Sequence, residues 1–236
     1  KDVNIDVRCA VAKNVNAPIE LLIVLAQDKH CWVRGAVAEN ENTSADVLAM
    51  LAKDKDCYVR KAVARNKNTP IELLAILAQD TDWRVRIDVA ENKSTSIETL
   101  AMLAQDKDAD VRSEVALNEN TSVDMLAVLA KDEDNGVRWA VAENENTSID
   151  VLAMLAQDEM WRVRNAVAGN INTPADVLAM LAKDVDVDVR CMVTDNKNTS
   201  VETLVMLSKD NNEWVSEAAI KALLKDKERS KNSIER

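Results

Sequence analysis

Written in rows of 26, the sequence falls into register with itself. Val-Arg occupies one column at Val7-Arg8, Val33-Arg34, Val59-Arg60, Val85-Arg86, Val111-Arg112, Val137-Arg138, Val163-Arg164 and Val189-Arg190, and the ninth row reads Val215-Ser216. Other columns keep step: Asp from Asp2 and Asp28 to Asp210, Leu from Leu22 to Leu204 and from Leu25 to Leu207, and Asn from Asn14 to Asn196. A period between about 20 and 50 residues is the signature of stacked supersecondary units, because one unit cannot bury its own apolar face without neighbours.

Each row predicts two short helices. The first opens as in Thr69-Pro70-Ile71-Glu72, where Thr is the expected cap, Pro takes the first turn and Glu reaches back. Thr43 with Asp46 and Thr147 with Asp150 repeat the arrangement. Apolar residues follow at spacings of three and four, as at Ile71, Leu74, Leu77 and Ala78, and the run ends near Asp80. The second helix is expected to begin near that Asp, to present Val85 and Val89 on one face, and to stop at Asn92 through a left-handed cap. Helices this short are unstable alone in water, so packing between rows must hold them. Asp and Arg six residues apart predict a ladder of ion pairs within or between rows, with a structural role.

The expected fold class is therefore all-α, a solenoid of about eight two-helix repeats of 26 residues. A partial first unit takes residues 1–15, full repeats begin at 16, 42, 68, 94, 120, 146, 172 and 198, and the solenoid ends at 225. The last unit loses the column Arg at Ser216 and the column Asn at Ala222, which fits a capping helix at an open end, and a polar tail takes 226–236. Lys1-Asp2 enters the repeat between its two helices, so the natural protein is expected to extend toward its N-terminus.

The pattern Leu-x-x-Leu-Ala-x-Asp-x-Asp-x-x-Val-Arg, as in Leu74 to Arg86, resembles HEAT-like and leucine-rich-repeat-variant repeats over nearly the whole chain. That resemblance implies a right-handed superhelix acting mostly as a protein-binding scaffold. Some HEAT-like members bind DNA or carry a metal-dependent enzyme, and a leucine-rich-repeat-variant protein can carry an iron-sulfur module beside its repeats. The cysteines here do not match the cluster such a module requires, and no paired His-Glu metal motif is found.

Composition narrows the function classes. With 47% apolar and 30% charged residues, the chain has the balance of a soluble, globular protein, and no apolar run approaches the roughly 18 residues of a membrane span. A net charge of -11 disfavours broad contact with phosphate backbones. Four cysteines without close pairs point to a reducing, cytoplasmic setting.

The rows disagree where it is informative. Three columns vary freely, lying three before, two before and one after the column Arg: Cys31, Trp32, Gly35, then Cys57, Tyr58, Lys61, then Trp83, Arg84, Ile87, and so on to Glu213, Trp214, Glu217. On a helix with Cys31 at zero, Gly35 falls at about 40° and Trp32 at about 100°, whereas Val33 and Val37 fall near 200° and 240°. The variable face is thus expected opposite the core, with the column of Glu39 joining it. All five Trp, the single Tyr and all four Cys lie in these columns, and there is no Phe. Aromatics on a solvent-facing stripe carry a cost unless something covers them, and Trp, Tyr and Arg dominate interface energetics.

The expected ligand-binding residues are Trp32, Tyr58, Trp83, Arg84, Trp139, Trp161, Arg162 and Trp214, and the expected partner is a protein or peptide. The pairs Trp83-Arg84 and Trp161-Arg162 sit three repeats apart as duplicated cassettes. One unit per base, as in helical repeats that read nucleic acid, is the alternative, disfavoured by the acidic balance and by Asp110 and Asp188 in the variable columns. A self-assembling array is a third. No enzymatic chemistry is read here: His30 is the only histidine, Gly35, Gly136 and Gly169 form no phosphate loop, Cys31 and Cys57 lie a helix-packing distance apart, and the column of Met50, Met102, Met154, Met180 and Met206 reads as packing. No cofactor and no metal is expected.

Overall fold

The computed structural model describes residues 4–234, and side chains up to residue 225. Lys1-Asp2, on which the expected extension rests, lies outside the described residues. Every element among them is α-helical, and the chain divides into two compact units, Lys1–Thr121 and Ser122–Arg236.

The first unit holds α1 (Ile5–Lys13), α2 (Ile19–Leu25), α3 (Cys31–Glu39), α4 (Ala45–Leu51), α5 (Cys57–Arg65), α6 (Ile71–Leu77), α7 (Trp83–Glu91), α8 (Ile97–Leu103) and α9 (Ala109–Leu117). The second holds α10 (Val123–Leu129), α11 (Asn135–Glu143), α12 (Ile149–Leu155), α13 (Trp161–Gly169), α14 (Ala175–Leu181), α15 (Val187–Asp195), α16 (Val201–Leu207) and α17 (Glu213–Ile234). Even-numbered helices are the seven-residue first helices of the repeats, and odd-numbered ones from α3 to α15 are nine-residue second helices. The chain is thus a helical-repeat solenoid. Helix α17 continues through 226–234, the segment expected as a polar tail; its Lys, Glu and Arg are good helix formers.

Within each unit, second helices stack directly on one another, α1 on α3, α3 on α5, α5 on α7 and α7 on α9, then α11 on α13, α13 on α15 and α15 on α17. Small residues permit this approach: Ala38, Ala64, Ala90 and Ala116 are fully buried on the stacking face, as are Ala142 and Ala168. First helices seal the other side with two Leu per repeat, for example Leu48 with Leu51 and Leu74 with Leu77, each contributing about 2 kcal/mol by burial. The core contains no aromatic residue among the described residues.

Three local expectations are corrected. First, the column Thr does not cap the first helix. Pro70 and Ser148 hold that position, while Thr69 and Thr147 are buried and donate from Oγ1 to the carbonyls of Val63 and Val141, at 2.6 and 2.5 Å. The hydroxyl adds a second donor to a carbonyl at the end of the preceding helix, which the backbone N–H of Asn66 or Asn144 also reaches. Second, Asn92 is not left-handed: its φ of -68° and ψ of 121° are extended, and no described residue has a positive φ. It turns the chain by accepting from the Ser94 backbone N–H at 2.8 Å, an Asx turn. Third, the methionine column of the first helices lies at the surface, Met50, Met102, Met154, Met180 and Met206 all being exposed, because Leu fills the positions facing the second helices.

The Asp and Arg columns work both within and between repeats. Arg60 donates from Nε and Nη2 to the carboxylate of Asp80 at 2.5 and 2.9 Å, and from Nη1 to the backbone carbonyl of Asp54 at 2.8 Å. The bidentate geometry recurs from Arg8 to Asp28, Arg34 to Asp54 and Arg86 to Asp106, and in the second unit from Arg138 to Asp158, Arg164 to Asp184 and Arg190 to Asp210. Except at Asp210, whose row has Ser216 in place of the Arg, each Asp is a joint: its carboxylate takes the preceding repeat's Arg while its carbonyl takes the Arg of its own second helix.

Candidate ligand-binding surface

The variable columns occupy the outer side of the second helices because the Val pair, replaced in the last row by Val215 and Ala219, claims the inner side. In the first unit Val33, Val37, Val59, Val63, Val85 and Val89 are fully buried. One helical position away, Trp32 is 69% exposed, and in the second unit Trp214 is 75% exposed. Tyr58, Trp83 and Trp139 are exposed to a lesser degree, Arg84 and Arg162 are exposed, and Trp161 is half-buried rather than solvent-facing.

In the first unit the structure brings Trp32 and Tyr58 together, with ring centroids 6.2 Å apart and planes tilted by 35°. Tyr58 donates its hydroxyl to Glu39 Oε1 at 3.1 Å, so the column of Glu39 takes part in the surface. The ring lies over Gly35, which is buried instead of exposed as the helical angle suggested. Burial, followed by the neighbouring Glu39, pushes the Tyr58 hydroxyl above its ordinary pKa. It therefore stays a protonated donor at neutral pH.

The two Trp-Arg cassettes both fold as cation-π pairs. The Arg84 guanidinium carbon lies 5.9 Å from the Trp83 ring centroid, and that of Arg162 lies 5.5 Å from Trp161. They differ in charge balance. Arg84 is held by Asp82, Nε to Oδ1 at 3.0 Å and Nη2 to Oδ2 at 3.2 Å. Where other rows carry that Asp, the row of Arg162 has Met160, and Arg162 makes no ion pair among the described residues. Trp214 lines a cleft of about 510 Å³ between α15, α16 and α17, with Asn196, Glu217 and Lys221 among its walls. Trp139 makes no ring contact among the described residues.

All four cysteines are free and half-buried. Burial raises the thiol pKa of Cys9, Cys31 and Cys191, which reduces their nucleophilicity. Among the described residues no group of three His, Cys, Asp or Glu side chains could hold a metal ion, and no helix is long and apolar enough to cross a membrane.

One charged feature escaped the variable columns. Asp88 is only 2% exposed, and Arg65 of the preceding repeat donates to its Oδ1 at 3.0 Å. Its Oδ2 lies 4.0 Å from Lys61 Nζ and has no hydrogen-bond partner. Desolvation outweighs both cations and raises the Asp88 carboxyl above its ordinary pKa. Its signal in the sequence is a departure from Ala in the column two residues after the repeat Arg.

The family model for the leucine-rich repeat variant matches residues 59–82. A solved structure described as a leucine-rich repeat variant with a novel repetitive structural motif is similar at 28% identity, over 90% of this chain and 85% of that one, with a TM-score of 0.68. The YibA protein of Escherichia coli shares the fold at 19% identity, over 94% of this chain and 97% of that one, with a TM-score of 0.53. No curated protein matches in sequence.

Proposed function

We propose that this chain, a scaffold of leucine-rich-repeat-variant-like helical repeats, holds a protein or peptide ligand along the outer side of its second helices. In this reading each repeat contributes a small variable set. Trp32, Tyr58, Trp83 and Arg84 anchor the ligand in the first unit, and Trp139, Trp161, Arg162 and Trp214 in the second. The observation that carries it is that a core without aromatic residues coexists with five Trp and one Tyr in the variable columns. Two of these rings are largely exposed, where each leaves a large apolar area in water. Trp, Tyr and Arg side chains, here including the Arg84 and Arg162 that stack on Trp83 and Trp161, are those whose burial dominates binding energy. The reading has the protein act by recognition and assigns it no chemistry.

The test is substitution of Trp83 and Trp161 by Ala, followed by measured affinity for a partner captured from lysate. The reading requires affinity to fall by about tenfold or more, as truncation of buried aromatic anchors does. Unchanged affinity would reject the site.

A further inference from the structure

A side-chain amide closes the junctions between second helices, and at the junction of α15 with α17 it is missing. Asn40, Asn66, Asn92, Asn118, Asn170 and Asn196 each donate from Nδ2 to two backbone carbonyls of the preceding repeat, 28 and 26 residues back. For Asn196 these are Ala168 O at 2.7 Å and Asn170 O at 2.9 Å. The next residue of the column is Ala222, which follows the start of α17 at the same distance as Asn196 follows the start of α15. An Asn there would reach the carbonyls of Thr194 and Asn196. A methyl group cannot.

The place of the missing amide is open. Thr194, Asn196 and Ala222 all line the cleft of about 510 Å³ between α15, α16 and α17. Lys197 lines it too and lacks a partner for the same reason: Asn198 donates to Ile171 O, 27 residues back, at 2.7 Å, whereas the residue that would reach Lys197 O is Leu224. Asn196 O keeps the Thr199 N–H at 3.0 Å, but among the described residues no donor reaches the carbonyl of Thr194 or of Lys197. Thr194 is only 3% exposed, and the carbonyl of so buried a residue carries a cost when no donor meets it.

We propose that this cleft takes the primary carboxamide of an asparagine side chain from the peptide ligand, its NH2 group donating to Thr194 O and Asn196 O as Asn196 itself donates one repeat earlier. The inference rests on the proposed peptide-binding function and adds the chemistry of one anchor. The internal amides supply the template, one nitrogen between two carbonyls. A carboxamide meets both acceptors and carries no charge, which suits a cleft walled by acids and lysines alike, Asp195 and Glu217 with Lys197 and Lys221. Trp214, 75% exposed, lines the same cleft and gives the segment that carries the amide an apolar surface to lie on.

The probe is acetyl-Gly-Asn-Gly-dimethylamide, titrated to about 10 mM into the isotope-labelled full chain by NMR. Its control is the aspartate β-methyl ester isostere, which keeps the shape and loses both side-chain donors. The Asn peptide is expected to shift the Thr194, Asn196 and Lys197 amides and the Trp214 indole saturably, and the ester to bind about tenfold more weakly or not at all. Ala222→Asn should abolish the response by supplying the amide from within the chain. Equal binding of the ester, no saturable response, a response centred elsewhere, an unchanged response in Ala222→Asn, or tighter binding of the corresponding arginine peptide would overturn the inference. The ester comparison is made on the unaltered chain, so it decides the matter even if Ala222→Asn fails to fold. Neither arm uses Trp83 or Trp161, so failure here leaves the aromatic surface standing, and failure of the Trp variants leaves a measured amide response intact.

Discussion

The side-chain amide of Asn66 donates to the backbone carbonyl of Ala38, 2.7 Å away in the preceding repeat, and both residues are buried. The same nitrogen donates to Asn40 O at 3.0 Å, and Asn66 Oδ1 accepts from the Asn68 N–H at 2.9 Å. One side chain thus terminates its own helix and satisfies carbonyls at the end of the helix before it. The pattern recurs at Asn40, Asn92, Asn118, Asn170 and Asn196.

Replacing Asn66 by Ala should destabilise the protein by about 1–3 kcal/mol, because it strips buried carbonyls of their donor. Asn66→Asp should cost more, since it sets an anion against those oxygens. Urea midpoints measure both. A change below about 0.5 kcal/mol for the Ala variant would show that water replaces the amide and that the ladder is dispensable.

The Arg and Asp ladder makes stability fall in acid. For Asp106, burial works against the charge, but hydrogen bonds from Arg86 and from the Asp108 N–H outweigh it and hold the carboxyl below its ordinary pKa. Asp28, Asp54, Asp80, Asp158, Asp184 and Asp210 are shifted the same way. With unfolded-state values near about 3.9, their contribution is fully present above that pH and is lost as pH falls through the depressed folded values. Asp106→Asn should therefore cost about 3 kcal/mol at pH 7 and progressively less in acid. Chemical denaturation of wild type and variant at both extremes is the measurement. A cost independent of pH would assign it to shape and not to charge.

Gly35→Ala should disturb the surface more than the fold. The added methyl would collide with the Tyr58 ring, which must swing away from Trp32 and from its hydrogen bond to Glu39. Helix propensity meanwhile favours Ala by up to about 1 kcal/mol, so net stability should change little. Near-ultraviolet circular dichroism should lose the Trp32 and Tyr58 coupling. An unaltered aromatic spectrum would mean that the two rings are not held together in solution.

The register of 26, the two helices per row and the burial of the Leu and Val columns were legible because each depends on spacing along one helix, where about 100° per residue decides which side chains share a face. The same arithmetic set Trp32 and Trp214 in water. It misjudged Gly35, which Tyr58 of the next repeat covers, and Trp161, which is half-buried. Thr69 read as a cap from its local neighbours, yet its hydroxyl turns inward to Val63.

Sequence by itself determined the repeat, the fold class and the composition of the outward stripe. Only the tertiary structure decided that Arg60 binds Asp80 rather than an acid of its own repeat, that Asn66 reaches Ala38, and that Arg65 reaches Asp88. The physical reason is that contacts between repeats depend on the offset of one helix against the next, which close packing of Ala and Leu fixes and which spacing within a row does not contain.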